Sequence, residues 1–389
     1  MARHALIAGG SIGGLFAAAA LQKAGWTVDV FERTEVELAG RGAGIVTHDT
    51  LIDALRHVGA DLTDLGVQVA ERTAFDKAGG VVTVLPHPQI VTSWDRMHRI
   101  LRRLIPDDRH HLGRAVTGYA QDADGVVAQF SDGSTVRGDL LVGADGFRSA
   151  IRAQMLPDVQ PTYAGYVVWR ALAQERDLPA DVAARVFPTF AFFAPSGTQI
   201  IGYPIAGRDN DLSLGNRRYN FVWYAPADAD ALRDMLTDAA GHQHAISIPP
   251  PLVRDDVLDA MQANARRILP PDFTAILDVS ERPFFTPIYD HHSPVMHDGR
   301  VVLLGDAACV ARPHVGMGVT KAAEDALALA VHADDPAAYS AIRVPASERA
   351  YLRARKLGSW IFQDDPANAD GAHNARLRDI MRLTAVTED

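Results

Sequence analysis

One cysteine in 389 residues, Cys309, has no partner for an internal disulfide, and it excludes a metal site built on cysteines. Long apolar runs are missing too. Nothing approaches the roughly 20 residues that cross a bilayer, so no membrane partner is expected. Net positive charge is also absent. Lys and Arg total 38 against 48 Asp and Glu, a formal charge of -10, which argues against a nucleic-acid groove or an anionic membrane surface. The fifteen histidines include the pairs His110/His111, His242/His244 and His291/His292, but none has the spacing that holds zinc on one helical face. No metal site is expected, and all three pairs read as solvated loops. The Arg-rich stretch Arg96 to Arg103 reads as a solvated helix face. Met1 to His4 lead directly into the apolar run Ala5 to Ala8, without the basic and apolar regions of an export signal, so a cytoplasmic protein is expected.

What is present is a chain long enough for two domains or for one large domain with an insertion, at 48% hydrophobic and 22% charged residues. It opens as strand, tight turn, helix, strand: His4 to Ala8, glycines from Gly9, Leu15 to Ala24 closed by Gly25, then Thr27 to Phe31. Further strands are expected at Gly125 to Phe130, Leu140 to Val142 and Arg300 to Leu304, the last followed by a helix over Val319 to His332. From Tyr163 to Tyr224 the texture changes to short aromatic β-prone runs, which reads as an antiparallel sheet inserted between two pieces of a nucleotide-binding domain. The fold class expected is therefore α/β: a Rossmann-like domain, discontinuous in sequence, an inserted antiparallel β-sheet domain for substrate, and C-terminal helices. The boundaries expected are 1–68, 92–158 and 286–389 for the cofactor domain and 69–91 and 159–285 for the substrate domain. Pocket formation at their junction follows.

Three motifs carry chemistry. Gly9-Gly10-Ser11-Ile12-Gly13-Gly14 is a dinucleotide fingerprint with Ser11 where the spacing places its second glycine. Gly9 permits the turn after the strand, small Ser11 admits the pyrophosphate beside Ile12, and Gly14 lets helix pack on sheet. Glu32, with Arg33 beside it, ends the second strand where a carboxylate meets ribose hydroxyls, so an adenine dinucleotide is expected. This motif alone does not separate NAD from FAD. The second motif is Gly143-Ala144-Asp145-Gly146-Phe147-Arg148-Ser149 with Arg152, and the third is Leu304-Gly305-Asp306-Ala307-Ala308 running on to Pro313, Gly316 and Gly318. Asp306 follows a buried strand, and amides of Gly316 to Gly318 at a helix N-terminus suit a negative charge.

In this order the motifs resemble those of the FAD-dependent aromatic hydroxylases, the flavoprotein monooxygenases of the p-hydroxybenzoate hydroxylase type. The likeness runs through nearly the whole chain. Pro161-Thr162-Tyr163-Ala164-Gly165-Tyr166, Trp169-Arg170 and Arg312-Pro313-His314 point within that family to the hydroxypyridine hydroxylases. The resemblance implies that Asp306 meets the ribityl chain of FAD and that Gly44, in the loop from Gly42 to Ile45, lies by the flavin. It further implies reduction by NADH or NADPH, O2 addition to give a flavin hydroperoxide, and hydroxylation of a small electron-rich, hydroxypyridine-like ring. A homodimer is also implied. Two positions depart from the pattern: Trp94, where many relatives carry Arg, and Cys309, where many carry His.

Such a reaction needs a dry pocket and a group that increases phenolate character in the ring. Histidine suits that task near neutral pH. His48 and His314 are the candidates, against the plainer roles of helix-start residue and packed loop residue. Among the aromatics Trp169, Phe192, Tyr203 and Trp223, Tyr203 is singled out as a hydrogen-bond partner for substrate. The alternatives are a flavin-independent dehydrogenase, which has no use for the Asp145 and Asp306 motifs, and an FAD-dependent oxidoreductase of the same fold that inserts no oxygen.

Overall fold

The apolar strand His4–Ala8 lies at the centre of a six-stranded sheet. In parallel register it pairs Ala5 to Ala8 with Leu140 to Gly143 on one side, and His4 to Ala8 with Thr27 to Phe31 on the other. Val301–Leu303 extends the sheet beyond Leu140–Gly143, and His110–His111 extends it beyond Thr27–Phe31. A computed structural model describes residues 3–38, 44–362 and 370–387.

Helix Ile12–Lys23 is buried over most of its circumference, wedged between this sheet and helix Gly318–Val331. Its run of alanines makes that close approach possible. Gly25 at φ +87° ends it, with the Gly25 amide donating to Gln22 O and the Trp26 amide to Leu21 O, the paired bonds of a Schellman cap.

A nine-stranded sheet, antiparallel in all but one pairing, stands beside the first. Its central strand Thr162–Gln174 sorts its residues by parity. Val167, Trp169, Ala171 and Ala173 join a core with Phe273, Ile276 and Leu258 from covering helices, whereas Tyr166 and Val168 face a second core with Phe190, Tyr203 and Tyr224. The sheet is larger than the aromatic stretch from Tyr163 to Tyr224 implied. It also takes in Val67–Phe75 and Val81–Ser93, which overlap the expected 69–91 segment, and beyond that Gly44–Val46 and Phe284–His292.

Two expectations are corrected. Arg96 in helix Trp94–Arg102 is buried and donates to Thr63 O, with Met97, His98, Ile100 and Leu101 buried beside it, so only part of that stretch is a solvated face. Among the histidine pairs, His242 alone is exposed. His110 is buried, His111 pairs with Asp29 at 2.7 Å, and His291 accepts from Arg152 Nη1 at 3.0 Å. Long-range partners of this kind leave no trace in local composition.

Candidate active site

The turn before helix Ile12–Lys23 is sterically closed to side chains. Gly9 sits at φ +113°, and a Cβ on Gly14 would overlap the Gly9 carbonyl oxygen. Ser11 caps the helix in extended conformation without a side-chain bond, leaving the helix amides facing a cleft. Glu32 crosses to this turn: Oε2 accepts from the Gly10 amide at 2.9 Å and Oε1 from the Thr34 amide at 3.0 Å. The cleft, about 500 Å³, brings together Gly9, Ser11, Glu32, Arg33, Asp145 and Gly146. Ile12 is different: its side chain is buried in the core, so only its backbone at the helix start is placed for a ligand.

The Asp145 loop follows strand Leu140–Gly143. Asp145 Oδ2 accepts from the Ala150 amide at 2.7 Å and shapes the loop, while its buried Oδ1 has no partner. Arg152 ties this loop to the third motif through Phe147 O at 2.9 Å and Ala307 O at 3.1 Å.

The third motif stands on a buried ion network. Asp325 accepts from the Gly305 amide at 3.0 Å, from Lys321 Nζ at 3.0 Å and from Arg343 Nε at 2.7 Å, and Lys321 also donates to Gly305 O at 2.9 Å. Burial alone would raise the Asp325 carboxyl, but the Lys321 and Arg343 charges reverse this and hold it below the usual carboxylate range. Gly305, at φ +58°, is thereby clamped from below, and Asp306 is left exposed in the groove at the sheet's C-terminal edge.

Beyond Asp306 the groove continues. A hollow of about 310 Å³ shares Phe147, Arg148 and Ser247 with the first cleft, and shares Arg170, Asp306, Val310 and Pro313 with a cavity of about 250 Å³. That last cavity is walled by Phe190, Tyr203 and Tyr224 on one side and by Pro313, Gly316 and Gly318 on the other. Gly316 takes φ +63°, and Gly318 opens helix Gly318–Val331 with open space where a Cβ would stand. Gly44 also lines the cavity, its amide donating to Asn220 Oδ1 at 3.1 Å. Gly42 and Ala43 lie outside the described residues.

The C-terminal residues complete this cavity, which the sequence did not suggest. Thr384 and Ala385 line it, and buried Arg72 secures them by donating to Met381 O, to Thr384 O at 2.6 Å and to Ala385 O at 3.0 Å.

The three candidate side chains separate. Tyr203 lines the cavity, stacked on Phe190 at 4.7 Å. His314 is buried with both ring nitrogens engaged, Nε2 with Tyr166 Oη at 2.9 Å and Nδ1 with Gln199 Oε1 at 3.0 Å. His48 lies behind the cavity, its Nδ1 bonded to Thr320 Oγ1 at 2.8 Å, and it lines a separate hollow with His87 and Arg382. Trp169 and Trp223 pack on the far face of the sheet. At the two departures from the family pattern, Trp94 stacks on His98 at 4.8 Å, and buried Cys309 contacts Ser347 O at 3.7 Å.

Burial lowers three histidines: His48 to about 4, and His291 and His314 each to about 3, with Arg152 adding to the effect at His291 and Arg312 at His314. In each case the unfolded chain takes the proton near 6.5 and the folded chain resists it. Stability from these sites is therefore full above about pH 6.5 and falls as pH drops toward the folded values. Three such sites add a slope of about 4 kcal/mol per pH unit at most. Chemical denaturation at pH 7.5 and pH 5 is expected to show a marked loss at the lower pH. Equal midpoints would contradict burial of these rings in neutral form.

A groove that begins at a dinucleotide turn braced by the Glu32 carboxylate and ends at an aromatic-walled cavity defines a flavoprotein oxidoreductase site. Its length and two unlike ends fit FAD, and the unpartnered Asp145 oxygen and the Cβ-free positions Gly9 and Gly14 would give the cofactor a polar contact and room. Comparison with known proteins agrees. An FAD binding domain model matches residues 3–200, and an FAD binding domain-like model matches 163–290. The chain is 34% identical to the 2,6-dihydroxypyridine 3-monooxygenase of Paenarthrobacter nicotinovorans, over 83% of this chain and 81% of that one. It is 30% identical to an FAD-dependent urate hydroxylase of Klebsiella pneumoniae, over 84% and 80%. The structure of 2,6-dihydroxypyridine-3-hydroxylase from Arthrobacter nicotinovorans superposes with a TM-score of 0.87 at 30% identity, covering 95% of this chain and 96% of that one. The chain belongs to the FAD-binding family of flavoprotein monooxygenases. It is an FAD-dependent enzyme, and no helix among its described residues is long and apolar enough to cross a membrane.

Proposed function

We propose that the enzyme hydroxylates a small electron-rich aromatic or N-heteroaromatic ring, hydroxypyridine-like, using O2 and NADH or NADPH. The observation that carries this reading is the cavity of about 250 Å³ at the end of the groove, sized for one ring and walled by Phe190, Tyr203 and Tyr224. Names of the relatives support it, since they act on dihydroxypyridine and urate.

In this reading segments 1–68, 92–158 and 286–389 hold the cofactor and segments 69–91 and 159–285 hold the ring. Reduced FAD supplies the activation of O2. Ser11, Glu32, Arg33, Asp145 and Gly146 hold its adenosine and pyrophosphate end, and Asp306 holds its ribityl chain. Gly44, Pro313, Gly316 and Gly318 would border its ring, where the amides at the start of helix Gly318–Val331 would stabilise negative charge. Tyr203 hydrogen-bonds the substrate ring.

The two histidines act through other groups. His314, with both nitrogens committed, braces the Pro313 turn against Tyr166 and Gln199. His48 holds the start of helix Gly318–Val331 through Thr320. Neither takes the proton of the substrate in this reading.

The test is direct. Purified protein is expected to be yellow and to oxidise NADH or NADPH in air faster when 2,6-dihydroxypyridine, 6-hydroxynicotinate, salicylate or urate is added, with a hydroxylated product. A colourless protein that cannot be reconstituted with FAD would falsify the reading.

A further inference from the structure

The ring cavity carries a cation without a counterion. Two arginines line it, and they differ in their surroundings. Arg312 is neutralised by Asp290, with Nε donating to Oδ2 at 2.6 Å. The Arg170 guanidinium makes no salt bridge and no hydrogen bond among the described residues. It lies on strand Thr162–Gln174 opposite Val222, on the sheet face that also presents Tyr203 and Tyr224. Its charge acts on both of these tyrosines, partly offsetting the rise that burial imposes on their hydroxyls.

A half-buried guanidinium among Phe190, Ile201, Val222 and two tyrosines has given up part of its hydration without a partner in return. Binding an anion in that cavity recovers the loss. Arg170 sits at the junction where the cavity meets the hollow leading along the groove, beside Asp306, and the two are not paired with each other. Asp306 is committed to the ribityl chain in the reading above, so it does not neutralise Arg170.

We propose that Arg170 is the anion-recognition group of the ring cavity, and that the substrate binds as an anionic ring, its charge on an ionised ring hydroxyl or on a ring carboxylate. This rests on the ring-hydroxylase reading and deepens it. An ionised hydroxyl conjugated with the ring raises electron density at the carbons that an electrophilic oxygen attacks. A fixed guanidinium favours that ionised form at neutral pH without acting as a base. This gives the cavity an electrostatic means of ring activation, which neither His314, with both nitrogens engaged, nor His48, behind the wall, is placed to supply. Arginine in particular suits a planar anion, which it can meet with two parallel N–H donors.

The test uses the FAD-loaded full chain and reads the absorbance change of bound flavin as ring ligands are added, so turnover is not needed. The probes are 6-hydroxynicotinate, its neutral carboxamide 6-hydroxynicotinamide, and 2,6-dihydroxypyridine. Wild-type protein is expected to bind at least one anionic probe at least about tenfold more tightly than the carboxamide, the range of a charged hydrogen bond. Preference for 6-hydroxynicotinate locates the charge on a carboxylate; preference for 2,6-dihydroxypyridine alone locates it on a ring hydroxyl. Arg170→Met is expected to abolish the preference while leaving carboxamide binding within about twofold, and Arg170→Lys to restore part of it. The KM for NADH or NADPH is expected to stay unchanged, which separates a ring anion from a nucleotide phosphate. Equal wild-type affinity for charged and neutral rings overturns the inference and leaves the hydroxylase reading standing. So does a preference that survives in Arg170→Met. A yellow protein whose flavin responds to no ring overturns both.

Discussion

Gly14→Val is expected to give a folded protein that purifies without FAD. The Gly14 position has no room for a Cβ, which would overlap the Gly9 carbonyl oxygen and press on Ile7. Gly9 cannot yield easily, because its φ of +113° is closed to most residues and its amide is bonded to Phe31 O at 2.8 Å. The helix start must therefore move away from the strand, taking with it the amides of the first turn and the Glu32 bond to Gly10. A loss of two charge-assisted contacts corresponds to a fall in FAD affinity of at least about a hundredfold. The FAD-to-protein ratio after gel filtration reads this, with circular dichroism as the check on folding. Wild-type flavin content in the variant would contradict the placement of the pyrophosphate at this turn.

Asp325→Ala is expected to have the largest effect on stability. It leaves Lys321 and Arg343 buried, with Glu324 the remaining partner of Arg343 at 3.0 Å, and frees the Gly305 amide. Removing one member of a buried ionic group costs about 3 to 5 kcal/mol, because the charges left behind stay desolvated. A fall in melting temperature on the order of 5 to 10 °C follows. Flavin binding should weaken as well, since Gly305 carries Asp306 into the groove. Asp325→Asn keeps an acceptor for Gly305 and should fall between the two. A melting temperature equal to wild type in Asp325→Ala would show that the network is not what holds the turn.

The sequence made the cofactor end of this site readable because its constraints are local. Gly9, Gly14 and Glu32 stand within one strand-turn-helix-strand unit, and steric exclusion by backbone leaves glycine as the only solution at two of those positions. The positions of Asp145 and Asp306 in the fold were readable for the same reason, each following a short buried strand.

The substrate end was less legible, and the cause is distance along the chain. Arg72 meets Ala385 across 313 positions, and Arg170 gains its meaning only when strands carrying Tyr203 and Tyr224 lie beside it. His314 looked like a base because its motif borders the flavin, but its state is set by Tyr166 and Gln199, which are 148 and 115 positions away. Trp169 and Trp223 were candidates for the wall alongside the favoured Tyr203, and strand parity places them on the opposite face. The Lys321–Asp325 pair had a visible signal in its i, i+4 spacing, yet that spacing is common on exposed helices and says nothing of burial.

Insertion of one atom of O2 into a ring held in the aromatic cavity is what separates a hydroxylase from an oxidoreductase of the same fold. Mass spectrometry of the product formed from a turnover-supporting ring under oxygen-18 gas tests it most directly. A product carrying one oxygen-18 atom is expected, formed in proportion to the NADH or NADPH consumed. An unlabelled product, or nicotinamide oxidation that yields only hydrogen peroxide with every ring tried, would contradict it.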